Sequence, residues 1–214
     1  MVEKGFQLSE ASNTPVMLQL RIRACHVYGS FIAKDNKKPE FSRLDALNHP
    51  ARDVTRYALP PYTYIHEQEK IEQRWPAAIK FIKENKINEF FDGDAKDIGI
   101  VMQGGLYNSV LRAMEIVGLA DVYGNSRIPL YVLNVAYPLV DDEFTQFCAG
   151  KKAIMLVEEG QPEFIEHAGL ITRVKRSFQR SGKCILIDVA AADADSLANG
   201  VHVRGCVAAH AHAG

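Results

Sequence analysis

The chain has 214 residues, 47% hydrophobic and 24% charged, with a formal net charge of −1. These proportions allow a buried core and exclude a broadly disordered chain; the charge balance leaves no general basic surface for nucleic acid or an anionic membrane. No apolar run approaches the roughly 20 residues that span a bilayer, Met1–Gly5 lacks the apolar core of a signal peptide, and four cysteines without a Cys-x-x-Cys pair predict reduced thiols in a cytoplasmic protein. The same spacing argues against an iron–sulfur cluster held within this chain.

Residues 1–62 read as an arm. Phe6–Ala11 fits the last turns of a helix, stopped by Asn13-Thr14-Pro15. Val16–Ile22 is rich in apolar residues and predicts a strand. A lone strand needs a partner, so it joins the main sheet or closes a domain whose beginning lies outside the chain; the second reading is preferred. Cys25 and His26 are adjacent and point to opposite faces of an extended chain, which suits a buried cysteine better than a nucleophile–base pair. From Gly29 to Pro61 the turn signals Lys34–Pro39, Asn48-His49-Pro50 and Leu59-Pro60-Pro61 mark a linker laid over a neighbouring surface. The Lys34–Lys38 charges read as a solvated loop.

Between residues 63 and 91 the apolar residues Ile65, Ile71, Trp75, Ala78, Ile79, Ile82, Ile87 and Phe90 recur at helical spacing. Thr63 is the expected N-cap. Pro76 predicts a break after Trp75, with Pro76 opening a second helix. Trp75 is assigned to packing and His66 to the polar side. Asp92-Gly93-Asp94 reads as a turn after a helix end; it inverts the Gly-Asp-Gly order of a thiamine-diphosphate magnesium motif.

Asp97–Gly105 is the centre of the chain. Ile98–Met102 is apolar on both faces, as a central parallel strand requires. Gly104 and Gly105 then permit a tight turn into a helix from Leu106 to about Gly118. Pro129–Val135 and Ala153–Val157 repeat the strand pattern, each followed by a helical one. This alternation predicts an α/β fold, a three-layer parallel sheet with flanking helices. The turn at Gly104, Gly105 and Asn108 exposes N–H groups at a helix start, which can meet an anion or a CoA phosphate; close packing is the simpler reading of its glycines, because the sequence is neither Gly-x-Gly-x-x-Gly nor a Walker loop. Asp141, Asp142 and Glu143 suit a helix start rather than a metal site. Ligands of open α/β sheets bind beyond the carboxyl ends of strands, so Gln103, Gly104, Tyr137, Glu158 and Glu159 converge on the edge best placed for a ligand or a partner domain.

Several segments carry a resemblance. Tyr57-x-Leu-Pro-Pro-Tyr-x-Tyr64, the Glu/Lys-rich helix, Asp97–Asn108, Arg127–Asn134, Tyr137–Val140 and Val157–Glu166 resemble the indolepyruvate ferredoxin oxidoreductases, in particular the fused-chain bacterial form. The resemblance runs from about residue 3 to 167. It implies that residues 1–62 are the end of an upstream pyrimidine-binding domain plus a linker arm, and that residues 63–167 are a lead-in and a domain similar to the C-terminal domain of transketolase. It implies a family that oxidatively decarboxylates an aryl 2-oxo acid to an acyl-CoA with thiamine diphosphate, Mg, CoA and iron–sulfur clusters, and passes electrons to ferredoxin. No position here matches the family's catalytic glutamate, diphosphate motif or cluster cysteines. The expected role of this piece is therefore docking to the remaining domains or subunits, with no catalytic or metal-binding residue of its own.

Residues 168–214 differ. They hold six lysines and arginines against three aspartates, and the resemblance stops where they begin. The expectation is a divergent, poorly ordered tail produced by a frameshift or gene joining. His202, Cys206, His210 and His212 are too irregular for a metal site, and Arg173–Arg180 lacks the aromatic platform of a nucleic-acid helix. Cys184–Val189 has strand character and can add an edge strand. Two alternatives to a docking fragment remain: a free-standing module that binds an anion or CoA without catalysis, and an oligomerisation domain.

Overall fold

The computed structural model describes residues 1–20, 28–36, 42–50, 54–158, 185–190 and 203–206. The chain divides into two units, Met1–Ala77 and Ala78–Gly214.

In the first unit, helix α1 (Val2–Ser12) ends at Asn13, which adopts the left-handed conformation and donates its N–H to Ser9. This is the stop expected before Pro15. The strand predicted at Val16–Ile22 does not form over its described part, Val16–Leu20. No residue there belongs to a strand, and Met17 and Leu20 are exposed. Apolar content alone does not make a strand; a ladder partner must be present. The Cys25–His26 pair and Lys37–Pro39 lie outside the described residues, while Lys34 pairs with Glu3 at 2.7 Å on the surface.

Helix α2 (Arg43–Asn48) follows Ser42, and α3 (Tyr62–Glu69) begins directly after Pro61. Pro61 therefore takes the start position assigned above to Thr63, which lies inside the first turn; a proline needs no donor there. The break expected at Trp75-Pro76 is a change of helical register. Residues Lys70–Arg74 form a π-turn in which the Trp75 N–H reaches back to the Lys70 carbonyl, and α4 (Trp75–Glu84) follows. Pro76 supplies no N–H to an α-helical ladder, so the bonding shifts by one residue at this point. Trp75 is half-buried, with the Lys70 ammonium 5.6 Å from its ring centre. Ile65 and Ile71, expected on the core face, are exposed. The His66 ring contacts the Thr55 carbonyl.

The second unit is a six-stranded sheet in the order β1-β3-β2-β4-β5-β6. The strands are β1 (Glu89–Phe91), β2 (Ile98–Gln103), β3 (Leu130–Leu133), β4 (Ala153–Glu158), β5 (Ile185–Ala190) and β6 (Val203–Cys206). The four central strands are parallel, β2, β3 and β4 as predicted and β5 in addition, while β1 and β6 close the two edges antiparallel. The predicted strand at Cys184–Val189 appears as β5, but it is interior because β6 lies outside it.

β1 was not foreseen. Ile87 and Phe90 fit the helical spacing, yet Lys86 turns into the left-handed region (φ 47°) two residues after α4 ends. The chain reverses there, and Asp92-Gly93-Asp94 consequently follows a strand rather than a helix end. A β-carbon on Gly93 would come within 2.6 Å of the Arg127 carbonyl oxygen, so the turn is pressed against the segment entering β3.

Side chains alternate across the sheet and give it two dry faces. On one face Val101, Tyr131, Leu133, Ile154 and Leu156 pack against Phe144, Phe147 and Cys148 of α6 (Asp141–Cys148). On the other, Ile100, Met102, Leu130, Val132 and Val157 pack against Leu106 and against Val110 and Met114 of α5 (Tyr107–Ile116). This is the three-layer α/β arrangement expected from the sequence. Gly118, at φ +75°, ends the turn after α5.

Candidate functional site

β2 is the centre of the sheet, and the chain leaves it in both directions. It passes through α5 to β3 on one side, then returns through α6 to β4 on the other. That reversal makes the carboxyl ends of β2 and β4 a topological switch point, where open α/β sheets form their crevice. Gln103 pairs with Leu133, and Met102 with Val157. The structure thus brings Gln103, Asn134 and Glu158 to one end of three adjacent strands. Glu158 is buried there, while Tyr137 is exposed beyond β3. Glu159 lies outside the described residues.

Gly104–Leu106 form a single 3-10 turn between β2 and α5, and no side chain caps either helical start. Gly104 does not face open space. A β-carbon at this position would overlap Oδ1 of Asn134, so the asparagine fills the room that the missing side chain leaves. This geometry supports the packing reading of Gly104. Gly105 and Asn108 are exposed at the start of α5 and are the parts of the predicted anion site that lie at the surface. A carboxylate stands nearby. Glu89 accepts a hydrogen bond from Asn134 at 2.8 Å. The pKa of Tyr107 is raised, first by burial and then by the charge of Glu89.

Behind the edge is a polar network that sequence reasoning missed. Asn134 Nδ2 also donates to the Ile87 carbonyl at 2.8 Å. Asn88 Oδ1 accepts from the Val135 N–H at 3.1 Å, and Asn88 Nδ2 donates to Glu143 at 3.1 Å. The buried Tyr131 hydroxyl donates to the same Glu143 oxygen at 3.0 Å. Burial, then the Glu143 carboxylate, pushes the Tyr131 pKa up. Tyr131 is stacked on Phe90 of β1, with ring centres 4.5 Å apart. Buried polar groups of this kind must be paired, and here they tie the α4–β1 connection, β3 and α6 together. The only sequence signal was Asn88 itself, a polar residue next to the apolar Ile87 in the run Lys86-Ile87-Asn88-Glu89.

Asp141, Asp142 and Glu143 occupy the first turn of α6, where the helix dipole favours negative charge. Asp142 pairs with Lys83 at 2.9 Å, and Glu143 serves the network above. Among the described residues no group of three or more His, Cys, Asp or Glu side chains is placed to hold a metal ion. Among them too, no helix is long and apolar enough to cross a membrane. His202, His210, His212 and Arg173–Arg180 lie outside the described residues. Cys206 ends β6.

No family model matches the chain. Individual proteins nevertheless match it. The chain is similar to indolepyruvate oxidoreductase subunit IorA. It is 27% identical over 162 residues to the protein of Methanothermobacter thermautotrophicus, covering 74% of this chain and 24% of the relative. It is 28% identical over 165 residues to that of Archaeoglobus fulgidus, covering 75% and 24%. The Methanothermobacter marburgensis protein is 25% identical over 157 residues, covering 72% and 23%. All three are archaeal and named as subunits; the fused bacterial form suggested by the motifs is not among them. The chain spans about a quarter of the length of these relatives.

Proposed function

We propose that this chain is an assembly domain of a cytoplasmic indolepyruvate oxidoreductase, and that the remaining length of that enzyme carries the chemistry. The observation that carries this reading is the similarity to three IorA subunits over roughly three quarters of the chain, together with the small share of each relative that it spans. The apolar surface of the first unit agrees with it. Phe6, Met17, Leu20, Tyr28, Phe31 and Ile32 are each more than 70% exposed. Exposed apolar residues in this density mark a surface made to be covered.

Thiamine diphosphate with Mg would supply the decarboxylation chemistry of such an enzyme and iron–sulfur clusters its electron path to ferredoxin; no group of three or more His, Cys, Asp or Glu among the described residues of this chain is placed to hold a metal ion. The strand ends at Gln103 and Asn134 form the edge against which the rest of the enzyme closes, with Glu158 buried beneath it. Gly105 and Asn108 are the groups of this chain suited to touch the phosphates of CoA, through a helix start with no side-chain cap. Glu89 opposes a strongly held anion there, so the contact is an auxiliary one.

A second reading, a free-standing CoA-binding module, rests on the same helix start. Titrating CoA and thiamine diphosphate into the purified chain separates the two. The assembly reading predicts no saturable binding of either; saturable CoA binding by the isolated chain overturns it in favour of the module.

A further inference from the structure

We draw no further inference here: the strongest candidate, the Arg74 guanidinium in the π-turn between α3 and α4, whose Nε is buried without a hydrogen-bond partner, carries nothing, because its Nη2 already donates to the His66 carbonyl of α3 at 2.9 Å and nothing in the structure shows what would reach Nε.

Discussion

Asn88 and Asn134 each hold the chain that carries the other. Asn134 donates to the carbonyl of Ile87 and to the carboxylate of Glu89, on either side of Asn88. Asn88 accepts from the N–H of Val135, next to Asn134. This bracket fixes β1 to the end of β3. Because Asn134 Oδ1 also sits against Gly104, it fixes the β2–α5 turn as well.

Removing one member should loosen three elements at once. Asn134→Ala is expected to lower stability by about 1–3 kcal/mol, because it leaves the partly buried Ile87 carbonyl without its partner. Gly104→Ala should cost a similar amount through the clash with Asn134. The double variant should cost clearly less than the sum of the two, since deleting the amide makes room for the new methyl. Urea unfolding of the three variants measures this.

Tyr131 makes the sheet unit sensitive to alkali. Its folded-state pKa lies above the ordinary value of 10.0, through burial and the nearby Glu143. The folded state therefore holds this proton more tightly than the unfolded one. The resulting stability is fully present below about pH 10 and is lost as pH rises toward the folded-state value. Tyr131→Phe should flatten the alkaline side of a stability–pH profile. It should also cost about 1–2 kcal/mol at neutral pH, because Glu143 loses a donor.

The loop between α5 and β3 has the opposite dependence. Asp121 accepts from the backbone N–H groups of Tyr123 and Asn125 and from the Asn125 amide. The Asn125 bonds hold its carboxyl below the ordinary 3.8. Its contribution is present above that value and is lost as pH falls through the depressed one. Asp121→Ala should speed hydrogen exchange at Tyr123 and Asn125 at neutral pH, while the wild-type loop loses the same protection only in acid.

At the start of α5, Asn108→Asp adds a carboxylate where a CoA phosphate would lie. In the assembled enzyme it should raise the KM for CoA about two- to fivefold and leave kcat nearly unchanged, in keeping with a surface charge acting near a helix terminus. An unchanged KM removes Asn108 from the proposed contact.

The parallel core was legible because its strands carry their own signature. Ile98–Met102, Leu130–Leu133 and Ala153–Val157 are apolar on both faces, and each is bounded by turns or helix starts. The Gly104–Asn134 contact was half legible: the glycines signalled close packing, but the partner, thirty positions away in sequence, did not show. β1 was hidden because Ile87 and Phe90 happen to continue the spacing of α4, and only the left-handed Lys86 breaks it. The Asn88–Tyr131–Glu143 network joins residues up to 55 positions apart, and single-sequence periodicity carries no record of such pairings. The strand predicted at Val16–Ile22 failed over its described part, Val16–Leu20, for the converse reason: its local pattern is right, and the partner it needs is not among the described residues.

The proposed role, as part of a larger 2-oxo acid oxidoreductase, can be tested on the whole assembly. The most direct measurement is co-expression with the flanking reading frames, followed by size-exclusion chromatography and an assay for indolepyruvate-dependent reduction of ferredoxin. The expected result is one complex containing this chain, with activity that falls when the chain is omitted. A chain that elutes alone, beside neighbours whose activity is the same with or without it, would rule out the assembly role.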